Sequence, residues 1–232
     1  VGWIDCLSRG KLMGRGILMC GRWANREESP SYPPPEKHPF RFPFLLPRWV
    51  LNRTTLRLFN AAYYRHHTSR IKQGIVHPES FFYPLDTIQD WNKMYGSTGF
   101  TQYQCVLPED QTPGVTKRFM TLLTTLGGAS FLCVIKDCGA QGKGLLSFPK
   151  PGITIALDIP VRKNSAGMID TLNEFVIAEN GRINLCKDFF TRPEHFRAME
   201  NRLDRWQSIR NHWDPLHKIH SAQSVRLLGD SI

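Results

Sequence analysis

Residues Ser147–Val161 read SFPKPGITIALDIPV, and the order they open decides how the chain folds. Ile153, Ile155, Leu157 and Ile159 alternate with Thr154, Ala156 and Asp158, the period of two that marks a strand with one buried face. Pro149 and Pro151 delimit its start and Pro160 its end, because proline gives no N–H to a ladder. A polar turn follows, then a helical pattern over Met168–Glu179 and a second apolar run, Ile183–Cys186, expected as a strand. That run ends in Lys187-Asp188. On these residues alone, Lys187 is expected at the surface, paired with Asp188.

The residues before Ser147 show the same order. Phe100–Leu107 (FTQYQCVL) reads as a strand with Gln102 and Gln104 on one face and Tyr103 and Cys105 on the other. Thr112–Leu126 reads as a helix with Val115, Phe119, Leu122, Leu123 and Leu126 along one side, stopped by Gly127-Gly128. Phe131–Ile135 is a continuous apolar strand ending in Lys136-Asp137. Strand–helix–strand twice over predicts an α+β fold, an antiparallel sheet flanked by helices in two ferredoxin-like split βαβ halves. Both halves end in Lys-Asp, which predicts two ammonium groups at comparable points of one sheet.

Around this centre, Trp3–Leu7 and Gly16–Trp23 read as a hairpin, and Asn52–His66 as a helix with a stripe of Leu56, Phe59, Ala62 and Tyr63. Phe81–Leu85 reads as a short strand, and Thr87–Tyr95 as a helix capped by Asp86. A helical C-terminal segment follows Lys187: Arg192–Arg202, Leu203–Trp213 and a last apolar element, Val225–Leu228. Ser29–Pro47 is proline-rich and expected as a long surface loop.

The chain has 232 residues, 41% of them hydrophobic, enough for a sizeable core. It begins at Val1 and enters a strand pattern at once, as a piece of a longer protein does. No run of eighteen apolar residues exists, so no membrane span is expected. The six cysteines fall mostly in apolar patterns without CxxC pairs, which suggests small buried side chains of a reducing, cytoplasmic compartment rather than disulfides or zinc. No metal is expected from His212, His217 and His220, whose neighbours form no shared helix face.

The net charge of +10 is uneven: from Lys37 to His77 there is no acidic residue, and eight Lys or Arg stand among seven aromatics. That mixture suits a phosphate-bearing partner, an anionic membrane surface or single-stranded nucleic acid. The glycine-rich GAQGKG (Gly139–Gly144) follows a strand, but Leu145–Pro151 cannot open a helix towards a phosphate, so it is read as a loop and not a P-loop. No Ser/His/Asp or Cys/His set has local motif support.

FFYPLDTIQDWNKMYGSTGFTQYQ, LLSFPKPGITIALDIPV, GRINLCKDFFTRPEHFRAM and RWQSIRNHWDP, in this order, resemble the decaprenylphosphoryl-β-D-ribose oxidase family of FAD-linked oxidoreductases, within the vanillyl-alcohol-oxidase-type superfamily. The resemblance spans essentially the whole chain. It implies a substrate-binding (cap) domain over residues 1–181, with a Pro-rich basic loop at 29–50. Residues 182–232 would then return to an FAD-binding domain whose main part is not in this sequence. The fragment alone is not expected to turn over. The implied reaction is oxidation of a sugar hydroxyl, in the family a polyprenyl-phosphoribose, by hydride transfer to flavin. A partner reductase there completes epimerisation to the arabinose form used for cell-wall arabinan.

By motif matching, the resemblance makes Lys187 the catalytic lysine of the (A/C)KD motif, beside flavin and substrate. It places Lys136 at the sugar pocket, Gln102 and Gln104 of QYQ and Trp3 on the substrate side, and Thr154 and Ala156 on the strand that faces substrate and flavin. Thr154 stands where actinobacterial members carry Asn, and Ala156 where they carry a cysteine. For a lipid-linked substrate, the basic stretch Ser29–Lys72 is expected to meet an anionic membrane, peripherally at its inner face. Two other readings stay open: a lactone or alditol oxidase of the same superfamily, and a basic nucleic-acid-binding module built on the ferredoxin-like sheet, against which stands the lack of an RNP-like aromatic motif.

Overall fold

A computed structural model describes residues 2–32, 40–47, 49–67, 71–82, 88–109, 112–128, 130 and 132–231. In chain order its elements begin with β1 (Gly2–Ile4), β2 (Gly16–Leu18), β3 (Phe40–Arg41), α1 (Arg53–His66), α2 (Pro78–Phe82) and β4 (Ile88–Gln89). The central part is β5 (Phe100–Leu107), α3 (Val115–Thr125), β6 (Cys133–Cys138), β7 (Gly152–Pro160), α4 (Ser165–Ala178) and β8 (Arg182–Ile183). After a 3-10 turn at Leu185–Lys187 come α5 (Pro193–Met199), α6 (Leu203–Trp213) and α7 (Ala222–Leu228).

The main sheet has the order β2-β1-β6-β7-β5-β8, and every pairing in it is antiparallel. The segment β6-β7-β5-β8, linked through α3 and α4, is the ferredoxin-like arrangement expected from the repeated strand–helix–strand order. The β1–β2 hairpin widens it beyond β6. The long pairing of β5 with β7 runs from Phe100 opposite Pro160 to Leu107 opposite Ile153. Gly152 opens β7 with φ +143°, where a Cβ would stand 2.2 Å from the Leu107 carbonyl oxygen, so this close start admits only glycine.

One face of the sheet carries the core. Tyr103, Cys105 and Leu107 of β5, and Ile155, Leu157 and Ile159 of β7, pack with Phe119 and Leu123 of α3 and Ile169, Leu172 and Val176 of α4. Each such side chain contributes about 1.5–3 kcal/mol by leaving water. The Tyr103 hydroxyl is buried there too, donating to the Asn173 side chain at 2.9 Å. A smaller cluster of Phe196, Leu203 and Leu227 joins α5, α6 and α7, with Leu185 touching both clusters.

Several local expectations are corrected. Ile183–Cys186 is not one strand: pairing stops at Ile183, and Asn184 caps a 3-10 turn by accepting from the Cys186 N–H. Lys136 and Asp137 do not follow β6 but lie within it, so the two Lys-Asp pairs are not symmetric equivalents. Phe81 and Phe82 belong to α2 rather than a strand. Ile88–Gln89 pairs as a strand with Phe40–Arg41, and only Trp91–Tyr95 is helical, as a 3-10 turn. Asp90 there has φ 56° and cannot continue an α-helix. Of the α1 stripe only Leu56 is buried, and the other buried side chain is Asn60, which reaches the Asp5 carboxylate at 2.9 Å. Asp86, Phe131, Lys37, Arg48 and Arg70 lie outside the described residues.

A candidate substrate face on the open side of the sheet

Directly opposed residues of an antiparallel pair share a face, and the register therefore places the expected site residues. Trp3 opposes Val134, Val134 opposes Ala156, and Ala156 opposes Gln104. Lys136 opposes Thr154, and Gln102 opposes Asp158. All are on the side away from α3 and α4. Trp3 closes one end of this row, its ring 4.8 Å from Tyr63 of α1. Ala156 stands in the middle, with only a methyl group rising from the sheet.

Polar side chains on this face are tied across strands. Gln102 donates to Asp158 at 3.0 Å, and the Tyr95 hydroxyl donates to its other oxygen at 3.2 Å. Asp158 is 1% exposed. Burial pushes its carboxyl above the usual carboxylate range, opposed by those two hydrogen bonds and by the positive charge of Lys187. Tyr95, buried beside it, has its phenol pushed upward by burial and by the Asp158 charge. Gln104 donates to the Thr154 hydroxyl at 3.0 Å and accepts from the Asn184 side chain at 2.9 Å.

Lys187 ends the 3-10 turn that follows β8. Its neighbour Asp188 is not its partner: the Asp188 carboxylate takes the Arg226 guanidinium at 2.7 Å and the Thr191 N–H at 2.9 Å. The expected Lys187–Asp188 surface pair is thereby corrected. Among the described residues no carboxylate lies within 4.0 Å of the Lys187 or Lys136 ammonium. Two uncommitted cations thus border a face of amide and hydroxyl groups. Such a donor set suits an acceptor-rich or anionic ligand.

The sheet brings Trp3, Gln102, Gln104, Lys136, Thr154 and Ala156 onto one face, and the Asn184–Gln104 bond ties the turn bearing Lys187 to it. Two clefts open to solvent lie beside it: one of about 230 Å³ lined by Leu51, Tyr95 and Arg162, one of about 240 Å³ lined by Arg210, His217 and Asp230. Among the described residues no group of three or more His, Cys, Asp or Glu is placed to hold a metal. The GAQGKG loop opens no helix; its Gln141 accepts from Arg182 at 3.4 Å, beside the Arg182 and Arg202 bonds to the Ser147 carbonyl at 2.9 and 3.0 Å. Asp158 and Asn184 were not anticipated. The signal for Asp158 was present, a carboxylate sharing the parity of Thr154 and Ala156; Asn184 gave none.

No family model matches the chain. It is 30% identical over 97% of its length to decaprenylphosphoryl-beta-D-ribose oxidase of Mycolicibacterium smegmatis, covering 50% of that protein. It is 27% identical over 97% of its length to an uncharacterized protein in the mprA 5' region of Streptomyces coelicolor, covering 64% of it. The chain thus spans about half to two thirds of the length of these curated relatives. Over almost all of its own length, the chain is related to one half of a decaprenylphosphoryl-beta-D-ribose oxidase.

Proposed function

We infer that this chain is the substrate-facing part of an FAD-dependent oxidoreductase that oxidises a hydroxyl of a sugar or polyol, with a lipid-linked phosphosugar as its substrate class. The observation that carries this is the pair of ammonium groups, Lys136 and Lys187, with no carboxylate within 4.0 Å among the described residues, bordering the face around Ala156 that lies away from α3 and α4. The sequence relationship supports the reaction class, since the Mycolicibacterium relative is by name an oxidase of a decaprenylphosphoryl ribose.

FAD, when bound, supplies the hydride acceptor. The face fits one side of such a ring: Ala156 leaves room for a flat group, and Lys187 offers a charge that no carboxylate contacts within 4.0 Å among the described residues. Lys187, Ala156 and Lys136 would border the flavin. Lys136, Gln102, Gln104 and Thr154 would hold the sugar by hydrogen bonds, and Trp3 would close the pocket at the α1 end. Oxidation of an alcohol removes a hydride from carbon and a proton from oxygen. The Lys187 charge stabilises the negative character that develops on that oxygen. A partner reductase would consume the ketone.

A nucleic-acid module on this fold places aromatic rings on its two central strands. Here β5 and β7 present Gln102, Gln104, Thr154, Ala156 and the buried Asp158, and the aromatic of β5 on that face, Phe100, is already stacked against Tyr95.

Contact with an anionic membrane belongs to the same proposal. α1 exposes Leu58 and Phe59 beside Arg57 and Arg65, and Trp49 just before it is 75% exposed. The same helix touches Trp3 through Tyr63, which would set a lipid surface next to the substrate face. Each Lys or Arg near such a surface adds about 1 kcal/mol. Binding of the flavoenzyme to phosphatidylserine vesicles is expected to fall steeply with salt; salt-independent or absent binding contradicts this contact.

The substrate class is tested by anaerobic flavin bleaching with a polyprenyl-phosphopentose, a free alditol and a sugar lactol. The lipid-linked sugar is expected to bleach fastest. Preference for the free alditol or lactol would assign the protein to the other oxidases of the superfamily.

A further inference from the structure

Hydrogen-bond direction across the open face follows from one donor that cannot be reversed. The Asn184 side-chain oxygen accepts from the Cys186 backbone N–H at 3.1 Å. A backbone N–H only donates, so this contact holds Oδ1 on the turn and leaves Nδ2 towards β5. Nδ2 donates to Oε1 of Gln104 at 2.9 Å. The Gln104 amide nitrogen is therefore turned towards β7, where it donates to Oγ1 of Thr154 at 3.0 Å. Thr154 acts as an acceptor inside the protein and keeps its own O–H, which finds no acceptor among the described residues. Thr154 lies directly opposite Lys136 on β6.

We propose that Asn184 is a positioning residue that sets the donor sense of the substrate face, acting through Gln104 on the Thr154 hydroxyl. With Asn184 in place, the Thr154 hydroxyl, at the floor of the face and 5% exposed, and the exposed Lys136 opposite it both keep donors, and the ligand group that matches them is an acceptor oxygen of the substrate. This rests on the open face being the substrate face. Asn184 has a second task, capping the turn that carries Lys187, and the two tasks separate by substitution.

Asn184→Asp keeps an oxygen for the Cys186 N–H, since Asp is as good a cap as Asn, but brings no donor for Gln104. The introduced carboxylate draws the Gln104 amide nitrogen to itself, the Gln104 oxygen turns to Thr154, and the Thr154 proton is consumed there. Asn184→Ser keeps the cap without adding charge and leaves Gln104 unfixed.

In the flavin-loaded full-length enzyme, Asn184→Asp is expected to raise KM for the sugar about tenfold, with a smaller change in kcat, the loss of roughly one hydrogen bond. Asn184→Ser gives a smaller rise. Thr154→Val alone gives a similar KM loss, and adding Asn184→Asp to it costs little more, because both remove the same donor. Multiplying effects in the double variant, or an unchanged KM in Asn184→Asp, would overturn the proposal while leaving the oxidoreductase reading intact. If no sugar or polyol bleaches the wild-type flavin, that reading fails instead, and amide direction is then read without turnover. Side-chain amide protons of ¹⁵N-Gln104 should show contacts to the Thr154 methyl in wild type and lose them in Asn184→Asp. Contacts that stay the same in both would contradict the proposal.

Discussion

The Asp188 carboxylate faces Arg226, 2.7 Å away on α7, and so turns away from its neighbour Lys187. Arg226 also donates to the Thr191 carbonyl, closing the loop after the turn onto the last helix. A side chain that reads as the natural counter-ion of Lys187 instead anchors the turn, and among the described residues no carboxylate pairs with the lysine. The Asp188 side chain is 5% exposed, so its partner matters. Arg226→Ala is expected to cost about 2 kcal/mol in urea unfolding by leaving a buried carboxylate without its cation. Arg226→Lys should recover only part of it, because one ammonium replaces two separate guanidinium contacts. A loss below about 0.5 kcal/mol for Arg226→Ala would show the pair to be incidental.

Gly152 starts the central strand at φ +143° with the Leu107 carbonyl where a Cβ would be. Gly152→Ala is expected to destabilise by about 2–3 kcal/mol. Thermal unfolding checks this, and a neutral effect would mean that β7 begins differently against β5.

Asp5 joins three parts of the chain: it accepts from Arg15 at 2.6 Å, Asn60 at 2.9 Å and the Leu7 N–H at 3.0 Å. Burial pushes its carboxyl up, but hydrogen bonds from Ser8, Asn60, Arg15 and Leu7 together outweigh it, and the net shift is downward. A carboxyl lowered in the folded state stabilises above its unfolded pKa, about 3.9, and loses that contribution as pH falls through the folded value. Asp5→Asn is therefore expected to lower stability at pH 7 and to flatten the acid limb below about pH 4. Urea midpoints measured from pH 7 down to pH 3 test it; an unchanged acid limb contradicts the role.

Asp158 has the opposite sign. Its carboxyl is raised by burial, so its contribution is complete below the unfolded pKa and is lost as pH rises through the higher folded one. At neutral pH the buried charge carries a cost. Asp158→Asn can still accept from Gln102, and the Tyr95 hydroxyl can accept from the new amide. The variant is expected to be more stable than wild type at pH 7 and unchanged at pH 3. A loss of stability at pH 7 would mean that the Lys187 charge compensates the burial.

Much of the sheet was legible from the sequence because strand alternation records burial. FTQYQCVL forms β5 over the residues its alternation marks, and ITIALDIP sorts its side chains onto the two faces as read. The repeated strand–helix–strand order was enough for topology, since split βαβ halves pack in few ways. Local pattern failed where a tertiary partner decided the outcome. Ile183–Cys186 looks like a strand, yet Asn184, bonded across to Gln104 of β5, captures the Cys186 N–H and turns the chain after two ladder pairs. In α1 the apolar stripe lost to Asn60, which follows Asp5 inward. Trp3, Gln104, Lys136, Thr154 and Ala156 were named through motif resemblance, and their common face became visible only from the register of four strands.

The central claim is that Lys187 serves the open face as a charge beside flavin and substrate. Anaerobic bleaching of the flavin in the full-length enzyme by its sugar substrate, comparing wild type with Lys187→Ala, tests this most directly. Loss of bleaching by at least a hundredfold in the variant, with the turn preserved by Asn184 and Asp188, is the expected result, roughly 2.7 kcal/mol of transition-state stabilisation. Bleaching at the wild-type rate would contradict the account.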